Sequence, residues 1–138
     1  MGKYEEVKPK KKLKSIPKLK SDCQKLCNEY VRLRDKNKPC ISCGQYKELQ
    51  AGHYYAVGGY DGLRFDLDNV NGECAGCNCF DESHLIGYGD NLLMKIGQKR
   101  FLALKEKAAD YKKNGHKWSR SELEELSEKF KTMISELK

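Results

Sequence analysis

The sequence predicts an α+β fold in which a small, cysteine-stapled, β-rich centre is flanked by N-terminal and C-terminal helices. Three observations predict it. Two CxxC pairs, Cys40/Cys43 and Cys74/Cys77, bracket a glycine-rich stretch with short strand-like runs. Apolar residues recur at helical spacing on both sides of that stretch. Hydrophobic residues make up only 38% of the 138, a thin core for which a small domain usually needs a staple.

The elements follow in order. Residues 1–20 hold eight lysines, with the densest cluster at Lys10, Lys11 and Lys12, and read as a disordered basic arm. A single domain over 21–138 is expected after it. Its first helix spans 21–39: Ser21 is an N-cap, Gln24 completes a capping box, and Pro39 stops the run. Cys23, Leu26, Cys27, Tyr30 and Leu33 form its apolar stripe.

The centre spans 40–90. Lys47 to Tyr55 reads as one strand and Asn69 to Glu73 as another, with a glycine-rich loop between them. A helix is expected from Cys77 to about Ile86. Asp90 then caps a second helix through Ile96, with Gly97 as a break. Residues 91–138 are C-terminal helices. One runs from Gln98 to Lys113 and ends at Asn114-Gly115. The last starts near Ser119, where Glu122 completes another capping box. Its Leu123, Leu126, Phe130, Met133 and Leu137 make a heptad stripe. Two heptads favour packing within the domain over a coiled coil, and leave a homodimer as the lesser alternative.

The net charge of +7 is unevenly placed: +6 over 1–20, +2 over 21–39, −6 over 40–94 and +5 over 95–138. Basic flanks suit a polyanion, and an acidic middle suits a cation site facing it. No apolar run is long enough to cross a bilayer, and the N-terminus has no apolar core of a secretory signal. A reducing cytoplasm is therefore expected, and there seven cysteines read as metal ligands and free thiols.

Cys40, Cys43, Cys74 and Cys77 carry the strongest signal. Each pair can form a knuckle presenting two thiolates, and two knuckles complete a tetrahedral site for structural Zn²⁺ with no position left for water. A redox CxxC fits two ribbon-spaced pairs poorly. Cys79 has no partner at knuckle spacing, and Cys23 and Cys27 are expected in the buried face of the first helix.

His53 lies between the knuckles at the end of a strand, Asn69 stands just ahead of the second knuckle, and Asn78 follows Cys77 directly. The order CxxC, His, Asn, CxxC-Asn resembles the zinc-containing HNH, or His-Me finger (ββα-metal), nucleases. With PCISCG, AGHY, LRF, the Asn69 to Cys74 segment, CxxCN, KIGQ and HKW in order over roughly residues 20–130, the chain is similar to the lambdoid phage NinG (Rap) recombination endonucleases. The resemblance implies a zinc-stapled ββα-metal centre in a phage or prophage protein acting in the bacterial host cell. It implies metal-dependent cutting of branched or partly single-stranded DNA, such as D-loops and Holliday junctions, leaving 5′-phosphate and 3′-hydroxyl ends. By position, His53 would deprotonate water, Asn69 would steady its loop, and Asn78 would bind catalytic Mg²⁺ or Mn²⁺.

The chain departs from the HNH pattern at Gly52, where many such enzymes carry an Asp ligand. His84 is the second-choice ligand, and Asp66, Asp68, Asp81 or Glu82 could also complete the shell. Arg64 and the basic flanks would grip the DNA backbone, and Tyr54, with Tyr55 and Tyr60, would stack on unpaired bases. Plainer readings stand beside these: Asn favours turns and helix caps, and Arg64 between Leu63 and Phe65 can be an ordinary strand residue. The rivals in function are a zinc-ribbon DNA-binding module without catalysis and an HNH nuclease of another role, such as restriction.

Overall fold

The computed structural model describes residues 13–80 and 83–138. Lys10, Lys11, Lys12, Asp81 and Glu82 lie outside the described residues. Helix α1 is Ile16–Arg34, strand β1 is Leu49–His53, strand β2 is Val70–Cys74, helix α2 is His84–Asn114 and helix α3 is Arg120–Leu137.

Helix α1 begins before Ser21, within the stretch read as a disordered arm. Ser15 is the N-cap, its hydroxyl accepting from the Lys18 N–H at 3.3 Å, and Pro17 sits in the first turn, where its missing donor costs nothing. Ile16 and Leu19, isolated among lysines in the sequence, pack on the main core and give the extra turn its reason to form. Asp35 ends the helix ahead of Pro39, because its carboxylate turns inward to bonds with β2 and α2.

Strands β1 and β2 form one antiparallel ribbon, with Leu49 opposite Cys74, Ala51 opposite Gly72 and His53 opposite Val70. Successive side chains point to opposite faces. Leu49, Ala51, His53 and Val70 therefore face α1, while Gln50, Gly52, Asn71 and Glu73 face α2.

Between the second knuckle and α2 there is a five-residue π-helical turn, Gly76–Phe80, in place of a helix from Cys77 to Ile86. Helix α2 then starts at His84, so Asp90 lies inside it instead of capping a new one. Tyr88 and Leu92, one turn apart and both fully buried, need the helix to begin ahead of Asp90. Gly97 breaks the helix as expected, at φ 83° and ψ 163°, a backbone region costly for a side-chain-bearing residue. Helix α3 carries the expected capping box: Glu122 N–H donates to Ser119 Oγ at 3.2 Å, and Ser119 N–H donates to the Glu122 carboxylate at 2.8 Å.

The ribbon separates two apolar clusters. On one side Cys23, Cys27 and Val31 of α1 meet Leu123 and Phe130 of α3, with Val70 and Phe65. On the other, Tyr88, Leu92, Leu104 and Ala108 of α2 meet Ile41 and Leu63. The stripe of α3 is thus spent on α1 within the chain. Ile134 is buried while Leu137 is half-exposed, so the stripe follows a straight helix and not a strict heptad. Among the described residues, no helix is long and apolar enough to cross a membrane.

Candidate functional site

The four knuckle cysteines come together as their spacing predicts. Their sulfurs all lie within 4.8 Å of one another, and Cys43 and Cys74 Sγ are 3.9 Å apart. Tetrahedral Zn–S bonds of about 2.3 Å place sulfurs about 3.8 Å apart, so the cluster fits one Zn²⁺. The knuckle is preformed by backbone: Gly44 N–H donates to the Cys40 carbonyl, and the N–H groups of Cys43 and Cys74 point at Cys40 Sγ at 3.5 and 3.3 Å. Ile41 N–H bonds to the Gly72 carbonyl and pins the first knuckle to β2. Cys79 stands apart, 3.6 Å from the Gln50 carboxamide oxygen, and Cys23 and Cys27 are fully buried on α1.

His53 ends β1 on the α1 face. Its Nε2 lies 2.9 Å from the Arg64 carbonyl. A carbonyl can only accept, so Nε2 carries the proton and Nδ1 of the neutral ring keeps its lone pair. Burial, opposed by that bond and reinforced by the Arg64 charge, pulls the imidazole below its ordinary 6.5. The ring is thus a neutral base around pH 7.

Asn69 is wholly buried and ties down the loop that follows His53. Its Oδ1 accepts from Tyr55 N–H at 2.8 Å, and its Nδ2 donates to the Tyr55 and Leu63 carbonyls, each at 3.1 Å. Its own carbonyl accepts from Tyr54 N–H at 2.9 Å. One carboxamide therefore joins both ends of the loop holding Arg64, whose carbonyl in turn holds His53.

The opposite face of the ribbon gathers Asn78, His84 and a residue not singled out in the sequence, Glu73. Glu73 is completely buried. Its Oε2 is met by the Ser42 hydroxyl and by His84 Nδ1 at 2.6 Å. Its Oε1 has no hydrogen-bond partner among the described residues. A buried acceptor left in that state costs about 1–3 kcal/mol. A Cβ on Gly52 would collide with this oxygen and would lie 3.1 Å from Asn78 Oδ1. Asn78 Nδ2 donates to Gln50 Oε1 at 3.0 Å, which turns its Oδ1 toward Gly52. A carboxylate oxygen and a carboxamide oxygen are hard donors that suit Mg²⁺ or Mn²⁺, and His84, whose Nδ1 is spent on Glu73 Oε2, has only its Nε2 left to offer.

The structure does not put all predicted site residues on one face. His53 lies on the α1 face, and Asn78 and His84 on the α2 face, joined through the consecutive residues Gly52 and His53. Asp66 and Asp68 are paired with Lys107 and Arg100, away from the Glu73 group. Arg64 is largely spent inside the chain. Its Nε donates to Gln24 at 3.0 Å and its Nη1 to Asp61 at 3.0 Å, and its plane lies over Phe65. Tyr54 stacks on Tyr55, Tyr88 and Phe101 with ring centroids 5.0, 5.2 and 6.1 Å apart. With Tyr55 and Tyr60 it locks the loop onto α2, so these rings serve packing. His116 sits edge-on to Trp118 and 3.1 Å from Glu122, a loop-to-helix contact.

No solved structure matches the chain. The chain is 33% identical over 117 residues to protein ninG of Escherichia phage 933W, covering 83% of this chain and 56% of that protein. It is 33% identical to protein ninG of Salmonella phage P22 and 32% to that of Escherichia phage lambda, each over 83% of this chain and 55% of the relative. It therefore spans about half the length of the curated relatives it matches. The family model described as bacteriophage lambda NinG protein matches residues 2–138, and the chain belongs to that family.

Proposed function

We propose that this protein is a metal-dependent, structure-selective DNA endonuclease of the HNH type. It would hydrolyse phosphodiesters in branched intermediates of phage recombination, such as D-loops and Holliday junctions. The observation that carries the reading is the state of His53: rigidly held, neutral, with one ring nitrogen spent on the Arg64 carbonyl and the other left basic.

In this reading His53 Nδ1 takes the proton from the attacking water. Asn69 keeps the base in place by fixing the loop that carries Arg64. The structural zinc at Cys40, Cys43, Cys74 and Cys77 holds the ribbon whose strand ends carry these groups. Asn78 and His84 would hold Mg²⁺ or Mn²⁺, which when bound would neutralise charge building on the phosphate. The phosphate would straddle β1 at Gly52 and His53, with the base on one flank and the metal ligands on the other.

One observation favours the rival reading of a zinc DNA-binding module: the base and the metal ligands do not share a face. Cleavage of labelled four-way junctions and D-loops by the purified chain with Mg²⁺ or Mn²⁺ decides between them. We expect nicking that is lost in His53→Ala while junction binding is kept. Binding without nicking under either metal would establish the module instead. Equal cutting of plain duplex would point to another HNH role.

A further inference from the structure

We propose that Glu73 supplies the anionic ligand of the divalent-cation site, reaching from β2 into the space that Gly52 leaves on β1. The purpose of the site rests on the nuclease reading, but its existence is tested without DNA.

Three features point to a ligand at this place. Glu73 is the sole fully buried glutamate among the described residues, and one of its oxygens has no partner. A carboxylate in that state calls for a cation, because Ser42 and His84 satisfy only Oε2. The free oxygen is aimed beside Asn78 Oδ1, another hard donor, across the point where a Gly52 side chain would begin. His84 Nδ1 donates to Oε2 at 2.6 Å from the start of α2, which fixes the carboxylate with its other oxygen turned toward Gly52.

The missing side chain at residue 52 and the extra carboxylate at residue 73 then explain each other. In the antiparallel register Gly52 pairs with Asn71 and Glu73 with Gln50, so the two lie on the same face as diagonal neighbours, two pairs apart along the ribbon. Only one of them can fill that space, since a Cβ at 52 collides with the Glu73 carboxylate. The acid is supplied from the second strand, and the first must be glycine to admit it. Glu73 is next to Cys74, so an ion held by the four cysteines would also help to fix the position of Glu73.

The test is Mn²⁺ binding to the zinc-loaded, DNA-free full chain, read by the loss of free Mn²⁺ signal in electron paramagnetic resonance up to millimolar Mn²⁺. Wild type should bind one Mn²⁺. Glu73→Gln, which keeps size and hydrogen bonding, should weaken binding about tenfold or more with zinc content and circular dichroism unchanged. His84→Ala should weaken it by less, because His84 orients the carboxylate through Oε2 and the charge that attracts the cation stays on Glu73. The Glu73→Ala/Gly52→Asp double variant should restore binding relative to Glu73→Ala, by returning a carboxylate from the other strand. Equal Mn²⁺ affinity in wild type and Glu73→Gln, or no Mn²⁺ bound by wild type, overturns the site. If Glu73→Gln fails to hold zinc, the double variant and His84→Ala decide on the same criterion. Mn²⁺ binding that depends on Glu73, without any cleavage of junctions, would leave the site standing and remove the nuclease reading alone.

Discussion

His53 shows how much of a residue's chemistry is set by one backbone acceptor. The Arg64 carbonyl chooses the tautomer, and burial holds the ring below 6.5. The sign of the pH effect follows. Protonation removes the lone pair on Nδ1, so cleavage should fall as pH drops through the lowered His53 value and level off above it. The rate–pH profile of wild type should show an acidic limb with its midpoint below 6.5. A flat profile through that region, with metal saturating, would show that another group accepts the proton. Arg64 matters here through its carbonyl, while its guanidinium serves Asp61 and Gln24.

At the scale of elements, the end of α1 is bolted to the ribbon and to α2 by one buried carboxylate. Asp35 accepts from Gly72 N–H at 2.8 Å, from Arg34 and from Lys95. Burial pushes its carboxyl up, but the Arg34 hydrogen bond and charge, the Gly72 N–H and the Lys95 ammonium outweigh it and hold it at about 2. Its contribution to stability is therefore complete above the ordinary 3.8 and is lost as pH falls through about 2. Asp35→Asn keeps the shape but leaves the two cations without their partner, and should cost about 3 kcal/mol in a denaturant titration at pH 7. A loss within the error of that titration would mean that Arg34 and Lys95 are held by Asn71 and carbonyls alone. Asn71 does accept from both, at 3.2 and 2.7 Å.

At the scale of the whole molecule, the uneven charge along the chain is partly cancelled in space. Asp61 pairs with Lys20 and Arg64, Asp66 with Lys107, and Asp68 with Arg100. Three of the eight acidic residues of the middle are thus struts to the basic flanks, and Glu73 is the fully buried one among the described residues, with one oxygen lacking a partner. Residues 1–12 carry a net +3 and precede α1. Deleting them should lower the slope of log affinity against log salt on junction DNA by about 1 or more, with the melting temperature unchanged. An unchanged slope would remove the arm from DNA binding. Deletion through residue 20 is a different experiment, because it also removes Ile16, Leu19 and the Lys20–Asp61 pair.

What the sequence determined by itself was whatever local chemistry specifies. The CxxC knuckles, the Ser119–Glu122 box and the break at Gly97 follow from contacts within a few residues, and the four sulfurs converge because the strands near them pair. The start of α1 was misread because Ile16 and Leu19 have meaning only against a core built by distant residues. Arg64 and Tyr54 likewise have partners, Gln24 and Tyr88, that are remote in the chain. Only the tertiary structure decided that Glu73 stands beside Gly52. Strand register sets that neighbourhood, and register depends on which faces the helices bury, a long-range balance that no short stretch of residues encodes.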